Sequence, residues 1–173
     1  MRARIERVDG QGLRVRGQAV AALVRDAVDD GASIGFVHPL SDDELAAFVE
    51  QAACDLDAGT RIVLLAVDGP AVVGMVQLEL ARKSNARHRA EVQKLIVHTG
   101  ARRRGLGREL MAAIERAALA DGRTLLVLDT ATGAAEALYR GSGYTEIGAI
   151  PRYAGLPTGE LVETTIFAKE LSP

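Results

Sequence analysis

A short arginine- and glycine-rich segment, residues 102–108, is the part of this sequence best suited to bind an anion. It follows an apolar run that ends at Val97 and opens an amphipathic pattern over 105–120, so it should join a strand to the start of a helix. A helix N terminus offers unpaired N–H groups and the positive end of the helix dipole. Gly105 and Gly107 lack Cβ atoms, so phosphate oxygens can approach the backbone closely.

The segment differs from the two common phosphate-binding loops. It lacks the Gly-Lys-Ser/Thr ending of a P-loop, and Leu110 stands where a dinucleotide-binding Gly-x-Gly-x-x-Gly motif needs its third glycine. Taken alone, Arg102-x-x-Gly105-x-Gly107 is a weak pattern, because a plain glycine-bearing helix start explains it as well.

A second segment, residues 128–144, makes the pattern specific. It contains Leu138-Tyr-Arg-Gly-Ser-Gly-Tyr144 at about the expected distance downstream. Together the two segments resemble the GNAT superfamily of acetyl-CoA-dependent N-acetyltransferases, the first matching the pyrophosphate loop of that family and the second its Leu-Tyr-x-x-x-Gly-Phe/Tyr element. The resemblance covers most of the chain from Arg61 onward. It implies that acetyl-CoA is the cosubstrate and that no metal takes part.

The resemblance also implies where acetyl-CoA would bind. One strand would pair with the pantetheine arm through free backbone groups, and the N–H of Leu95 would polarise the thioester carbonyl. The loop would cradle the pyrophosphate, and its arginines would reach the ribose phosphate. Thr132 stands where the family often carries Asn, which puts one cofactor contact in doubt. The expected cofactor-binding residues are Leu95, Ile96, Val97, Arg102, Arg103, Arg104, Gly105, Leu106, Gly107, Arg108 and Thr132.

Three residues receive catalytic roles from the same resemblance. Tyr139 would protonate the departing thiolate. Glu91 and Asp129 are the candidate bases that remove a proton from the amine, directly or through water, and they would also hold its ammonium form. Coupled titration makes either one hard to name as the sole base. Transfer is expected to be direct, within a ternary complex. Each residue also has a purely structural alternative. Tyr139 would pack in the core, Glu91 would form a salt bridge with Arg89, and Asp129 would cap a loop.

A narrower resemblance concerns the acceptor. Residues 31–36 and 89–95, with Leu128-Asp-Thr130 and Pro151-x-Tyr153, resemble the tabtoxin-resistance acetyltransferases. This implies a small amino-acid-like amine, such as a tabtoxinine-type β-lactam, and a role in antibiotic or toxin resistance. The expected acceptor-binding residues are Ser33, Phe36, Glu91, Asp129 and Tyr153. Another amino acid, a polyamine, an aminoglycoside or a protein amine remains the alternative acceptor.

The surrounding pattern predicts the elements that position these residues. A strand or hairpin is expected over 5–15, a helix over 20–28, and a second helix that starts at a Ser41–Glu44 capping box and ends at Gly59. Further strands are expected over 61–67, 72–80, 90–97, 124–128, 144–150 and 161–168, with helices over 105–120 and 134–140. This order predicts one α/β domain over 1–173. The resemblance adds a mostly antiparallel sheet whose central strand pair splays apart, with flanking helices.

Composition narrows the function classes. Three Phe, three Tyr and no Trp disfavour the aromatic platforms of RNA-binding domains. One cysteine excludes an internal disulfide and, with three histidines, a Cys-rich zinc module. The net charge of −2 hides a basic block over 82–108 and an acidic block over 26–57. The acidic block either attracts a cationic substrate or forms solvated helix faces.

Two other classes of protein compete with the enzyme. The basic block would suit a nucleic-acid-binding module, but 22 acids outside it and the scarcity of aromatics oppose this. A catalytically inert acyl-CoA sensor is the second, opposed by the intact Tyr139. With no apolar segment behind the charged start and no run of about 18 apolar residues, we expect a cytoplasmic protein without a membrane partner. The arginine-rich, lysine-poor composition is typical of GC-rich bacterial genomes, and a homodimer is left open.

Overall fold

A computed structural model describes residues 3–131 and 133–172, and it is built around one seven-stranded sheet. Its order is β1-β2-β3-β4-β5-β7-β6. Among the described residues every neighbouring pair is antiparallel except β4 with β5, which is parallel. This is the mostly antiparallel sheet that was expected. The strands are β1 Arg4–Val8, β2 Arg61–Asp68, β3 Ala71–Leu80, β4 Arg89–Val97, β5 Leu125–Thr130, β6 Thr145–Gly155 and β7 Leu161–Glu170.

Helices cover both faces of this sheet, and each face has its own apolar core. Leu110, Met111 and Ile114 pack on one side, called the α4 face below. Leu23, Val24 and Val49 pack on the other, called the α2–α3 face. Such a layered arrangement buries both sides of the central strands. The helices are α1 Gly10–Val15, α2 Gly17–Asp29, α3 Asp42–Asp57, α4 Leu106–Ala120 and α5 Gly133–Gly141.

The N-terminal region differs from the expected strand or hairpin over 5–15. β1 ends at Val8, and Asp9 then caps a short helix, with its side chain accepting a hydrogen bond from Gly12 N at 2.7 Å. An Asp-Gly pair favours a turn, but an aspartate is equally a helix N-cap. The capping box at α3 is confirmed, because Ser41 Oγ accepts from Glu44 N and Glu44 Oε2 accepts from Ser41 N.

Several strands run further than the pattern predicted, and the extensions of β5 and β6 bear on the site. β5 reaches Thr130, so Asp129 lies within the strand. β6 continues to Gly155, although it contains Pro151. Proline cannot donate to a strand ladder and is tolerated at edges and irregularities. Here it falls in a break of the β6–β7 register between Ile150 and Ala154, and β6 is an edge strand. The connection to β7 is correspondingly short.

Candidate active site

The central strands β4 and β5 separate partway along their length. Their pairing runs from Arg89↔Leu125 to Glu91↔Val127 and no further, although β4 continues to Val97. The expected splayed strand pair is therefore present. Beyond Glu91, the edge of β4 that faces β5 has no strand partner among the described residues. Backbone N–H and C=O groups on such an edge are free to pair with an extended ligand.

A β-bulge at Lys94 accompanies the separation. Gln77 pairs with Gln93 and Met75 with Ile96, so two residues of β4 stand opposite one of β3. Lys94 has a φ of 51°, in the left-handed region that non-glycine residues seldom adopt. A bulge of this kind bends its strand and re-aims nearby side chains.

The opening between the strands leads into a cavity of about 290 Å³. Its walls come from five parts of the chain: β4, the end of β5, helix α5, the loop after α2, and Ala154 of β6 beside that loop. The structure thus brings together five residues singled out from the sequence. These are Ser33, Glu91, Leu95, Asp129 and Tyr139.

Phe36 and Tyr153, in contrast, are not among the residues that line this cavity. The ring of Phe36 packs edge-on against Phe48, with centroids 5.4 Å apart. Tyr153 lies on the edge strand β6 and is 56% exposed. The loop itself is fixed over the cavity, because Ser33 Oγ donates to Gly155 O at 2.9 Å and His38 N donates to Pro157 O at 2.8 Å. Thr132 lies outside the described residues.

Tyr139 lies at the cavity wall on α5, with its ring buried. It packs against Tyr144 and Phe167 at centroid distances of 6.0 Å. Burial, and secondarily the negative charge of Asp129, raise the pKa of its phenol well above the usual value. The hydroxyl therefore stays protonated at neutral pH, which is the state that a proton donor needs.

Asp129 and Glu91 lie on adjacent strands and project to the same face. Glu91 pairs with Val127, and Asp129 follows two residues later on the same side of β5. The protein atoms around Asp129 displace water and raise the pKa of its carboxyl, while the positive charge of Lys94 opposes this shift. Glu91 Oε1 accepts a hydrogen bond from Gln93 Nε2 at 2.8 Å. The expected alternative of a Glu91–Arg89 salt bridge is not observed among the described residues.

A polar network that sequence reasoning missed supports Glu91. Arg61 Nη1 donates to Gln77 Oε1 at 2.9 Å and to Gln93 Oε1 at 3.1 Å. Arg61 is itself held by Asp55, at 3.0 Å. Gln77 is fully buried and polar on a central strand. A signal for this network existed in the sequence, because Gln77, Glu79, Glu91 and Gln93 occupy alternate strand positions that β-periodicity places on one face.

The arginine- and glycine-rich loop leads into α4 as expected. Gly105 caps the helix with a φ of 82° and Arg103 has a φ of 62°, so two left-handed residues turn the chain into the helix. Arg103, Arg104 and Arg108 are exposed and form no salt bridge within the described residues. The combination of free guanidinium groups with the first-turn N–H groups of α4 fits an anion.

Three other loop residues are engaged within the protein. Arg102 donates to Asp30 and, at 3.1 Å, to Val97 O, which ties the loop to α2 and to the end of β4. Leu106 is buried in the α4-face core. A Cβ atom on Gly107 would lie 3.3 Å from Leu138 Cδ2, so this glycine accommodates α5 at close range. Its expected role in exposing backbone to phosphate oxygens is therefore accompanied by a packing role.

The acidic block over 26–57 mostly pairs with cations and polar groups of the protein. Asp26 accepts from Thr99 N at 2.8 Å and from Thr99 Oγ1 at 2.7 Å. Other members bind arginines, as Asp42 binds Arg25 at 2.7 Å and Glu50 binds Arg14 at 2.8 Å. The block therefore stabilises the packing of α2 and α3. These contacts favour a structural role for the acidic residues over attraction of a cationic substrate.

Residues 3–131 and 133–172 contain no group of three His, Cys, Asp or Glu side chains arranged to hold a metal ion. Within the same residues, no helix has the length and apolar character needed to cross a membrane.

This fold and its loop are similar to those of known proteins. The sequence profile of the acetyltransferase (GNAT) family matches residues 21–144, more than half of the chain. A ribosomal-protein-alanine N-acetyltransferase from Brucella melitensis superposes with a TM-score of 0.80 at 25% identity, covering 97% of this chain and 99% of its own.

Two further solved structures share the fold at lower identity. An N-acetyltransferase from Staphylococcus aureus Mu50 has a TM-score of 0.79 at 18% identity, with coverage of 99% and 100% of the two chains. A phosphinothricin acetyltransferase from Sinorhizobium meliloti, solved in complex with acetyl-CoA, has a TM-score of 0.79 at 19% identity, with coverage of 99% and 90%. The profile match, together with the split sheet and the loop at the start of α4, shows that this chain belongs to the acetyltransferase (GNAT) family.

Proposed function

We propose that this protein transfers the acetyl group of acetyl-CoA to the primary amine of a small, amino-acid-like acceptor, directly within a ternary complex. The observation that carries the proposal is the cavity at the β4–β5 split. It gathers two carboxylates, a buried tyrosine and a free strand edge within one space of about 290 Å³. Acyl transfer to an amine needs a proton acceptor, a proton donor and a donor to the carbonyl oxygen.

The residues present fit acetyl-CoA. The unpaired edge of β4 over 92–97 suits the amide groups of a pantetheine arm. The loop over 103–108 lies just beyond the end of this strand, where exposed arginines and helix N–H groups suit a pyrophosphate. Leu95, Ile96 and Val97 lie on this edge, and Arg103, Arg104 and Arg108 carry the free charges. The cytoplasm, where acetyl-CoA is available, is the location that accords with this chemistry.

Each step of the transfer is assigned to a group of this chain. Acetyl-CoA supplies the acetyl group as an activated thioester. The Leu95 N–H would donate to the carbonyl oxygen as negative charge develops there. Glu91 or Asp129 would accept the proton that the ammonium form of the acceptor must lose. The neutral amine would then attack the carbonyl carbon, so that the C–N bond forms and the C–S bond breaks, and Tyr139 would donate its phenol proton to the leaving sulfur. The second proton that the amine nitrogen loses would return to the Tyr139 oxygen, directly or through water.

The enclosure of the cavity favours a small acceptor. Ser33 and Ala154 form one wall of it, which the Ser33–Gly155 hydrogen bond holds in place. A tabtoxinine-type β-lactam is one molecule of this class, and its acetylation would confer resistance. A protein N terminus is the second candidate acceptor, favoured by the 25% identity to the ribosomal-protein-alanine N-acetyltransferase.

Release of free CoA thiol tests the proposal. The protein is incubated with acetyl-CoA and a panel of amino acids, polyamines, aminoglycosides, a tabtoxinine-like amino acid and a peptide beginning with alanine. We expect thiol release that depends on an amino acid and an acetylated amine detectable by mass spectrometry. Acetyl-CoA binding without transfer to any amine would instead indicate an acyl-CoA sensor. An acetyl group trapped on Cys54 would contradict direct transfer.

A further inference from the structure

Lys94 is placed in the cavity by the bulge in β4. Val92 packs in the α4-face core, whereas Ile96, four residues later, packs in the core of the α2–α3 face. Residues four apart on a regular strand share a face, so one residue between them is extra. The result is that Lys94 stays on the α2–α3 side with Gln93. A Cβ atom on Gly35 would lie 3.3 Å from Lys94 Nζ, so the ammonium reaches the loop after α2.

The ammonium of Lys94 has no partner of its own. Among the described residues it forms no hydrogen bond and lies within 4.0 Å of no carboxylate oxygen. Two other largely buried cations, Arg61 and Lys169, each form an ion pair with a carboxylate. Arg61 binds Asp55, and Lys169 binds Glu115 at 2.8 Å. Burial and the nearby charge of Arg61 lower the pKa of Lys94, and the charges of Asp129, Glu91 and Glu79, all beyond hydrogen-bond distance, oppose this shift. A half-buried ammonium without a partner is unfavourable unless an anion completes it.

The position of Lys94 separates it from the cofactor loop. It precedes Val97 on β4, and the loop with Arg103 and Arg108 begins beyond the end of the strand. Its neighbours within the cavity are the acceptor loop at Gly35 and the candidate bases Glu91 and Asp129. The cavity therefore presents one positive charge and two negative ones.

We infer that Lys94 binds the carboxylate of the acceptor, so that the substrate class is amino acids or amino-acid-like molecules with a free carboxylate beside the reacting amine. This inference rests on the proposed function. A dipolar acceptor satisfies both signs of charge in the cavity: its ammonium faces Glu91 and Asp129, and its carboxylate faces Lys94. A simple amine satisfies the two carboxylates and leaves the lysine uncompensated.

The test compares acceptors that differ only at the carboxylate. Three sets are used: L-leucine, L-leucinamide and isoamylamine; L-serine, L-serinamide and ethanolamine; and L-lysine, L-lysinamide and cadaverine. For the set that the protein acetylates best, we expect kcat/KM of the acid to exceed that of its amide by about 10- to 100-fold, the range of a charge-assisted hydrogen bond. In Lys94→Met this ratio should fall close to one.

A matched control removes the same charge elsewhere. Lys83 is exposed and contacts no described carboxylate, and Lys83→Met should keep the ratio of the unmodified protein. The test compares the ratio of kcat/KM for the acid to kcat/KM for its amide, because a loss of folded protein lowers both values by the same factor and leaves their ratio unchanged.

Each outcome is decisive. Equal kcat/KM for acid and amide in the unmodified protein would overturn the inference without any variant, as would an unchanged ratio in Lys94→Met. Acetylation of polyamines or aminoglycosides but of no carboxylate-bearing amine would overturn the inference and leave the proposed acetyltransferase activity intact. Failure to acetylate any amine, with acetyl-CoA bound, would overturn the proposed function and the inference with it.

Discussion

Gln93 donates a hydrogen bond from Nε2 to Oε1 of Glu91 at 2.8 Å, and its own Oε1 accepts from Arg61. The amide thus joins a candidate base at the cavity to an arginine held by Asp55 beneath it. Alternate residues of a strand share a face, so Glu91 and Gln93 lie side by side without any special geometry. A carboxylate held in this way keeps one orientation, which is what a base needs toward its substrate.

Replacement of Gln93 by leucine should lower kcat for acetyl transfer about tenfold. The change removes the donor to Glu91 and leaves Arg61 with one fewer acceptor, while the strand keeps an apolar side chain of similar size. The KM for acetyl-CoA should stay unchanged, because the Gln93 side chain contacts Glu91 and Arg61 and not the loop over 103–108. Steady-state kinetics measure both quantities, and Gln11→Leu, at an exposed position of α1, serves as the control. An altered KM for acetyl-CoA with unchanged kcat would contradict a positioning role.

Replacement of Tyr139 by phenylalanine should lower kcat about 100-fold or more, the usual contribution of a general acid. The ring remains packed against Tyr144 and Phe167, so the fold should be retained. Tyr144 offers a matched control, since its buried hydroxyl is near Glu115 and the residue does not line the cavity. Tyr144→Phe should leave kcat unchanged. Full activity of Tyr139→Phe across a broad pH range would refute proton donation by this phenol.

Removal of one exposed loop arginine should weaken binding of acetyl-CoA. Arg108→Gln deletes a free charge in the first turn of α4, and we expect KM for acetyl-CoA to rise about three- to tenfold with little change in kcat. The effect should shrink in high salt, because exposed charges are screened. Arg116→Gln, two turns along the same helix, is the control. Equal effects of the two substitutions would show only a dependence on net charge.

Local signals in the sequence were enough for much of this fold. The capping box at Ser41, the helix start at Gly105 and the strand pattern of β2 and β3 each depend on neighbouring residues, and each is found in the structure. The prediction that the strand or hairpin continues beyond Asp9 was wrong, because Asp-Gly pairs occur both in hairpin turns and at helix starts. In the structure the Asp9 cap is joined by ion pairs of Arg14 with Glu50 and Asp57 of α3, contacts that the local sequence does not reveal.

In the candidate site, too, local sequence signals predict some residues, whereas contacts formed on folding decide others. Motifs pointed to Tyr139, Glu91 and Asp129, and the topology brings these three to one cavity. The resemblance implies that Phe36 contacts the acceptor, and nothing in the sequence shows that its ring packs on Phe48 instead of lining the cavity. Lys94 escaped notice because a bulge is a property of the pairing between two strands, and regular alternation places its side chain on the opposite face.

Loss of the Lys169 ammonium should destabilise the fold. Lys169 donates to Glu115 Oε2 at 2.8 Å and to Ser142 O at 2.7 Å, and both side chains of the ion pair are largely buried. In Lys169→Met, Glu115 keeps its charge without a counterion, so the free energy of unfolding should fall by about 2–3 kcal/mol. Urea denaturation measures the change, with Lys83→Met as the exposed control. A loss below about 0.5 kcal/mol, typical of surface pairs, would show that water compensates Glu115.

The acid limb of the pH profile should report Asp129 and move when Lys94 is neutralised. Partial desolvation raises the pKa of Asp129, although the residue remains accessible to solvent, and the positive charge of Lys94 opposes that rise. A base must be deprotonated, so kcat/KM should fall as pH drops through this raised pKa. Lys94→Met removes the opposing charge, so the limb should shift to higher pH. Profiles are measured with an amine that lacks a carboxylate, which keeps acceptor binding by Lys94 out of the comparison. Asp129→Asn should abolish the limb, and a limb that persists there unshifted would show that Asp129 is not the group it reports.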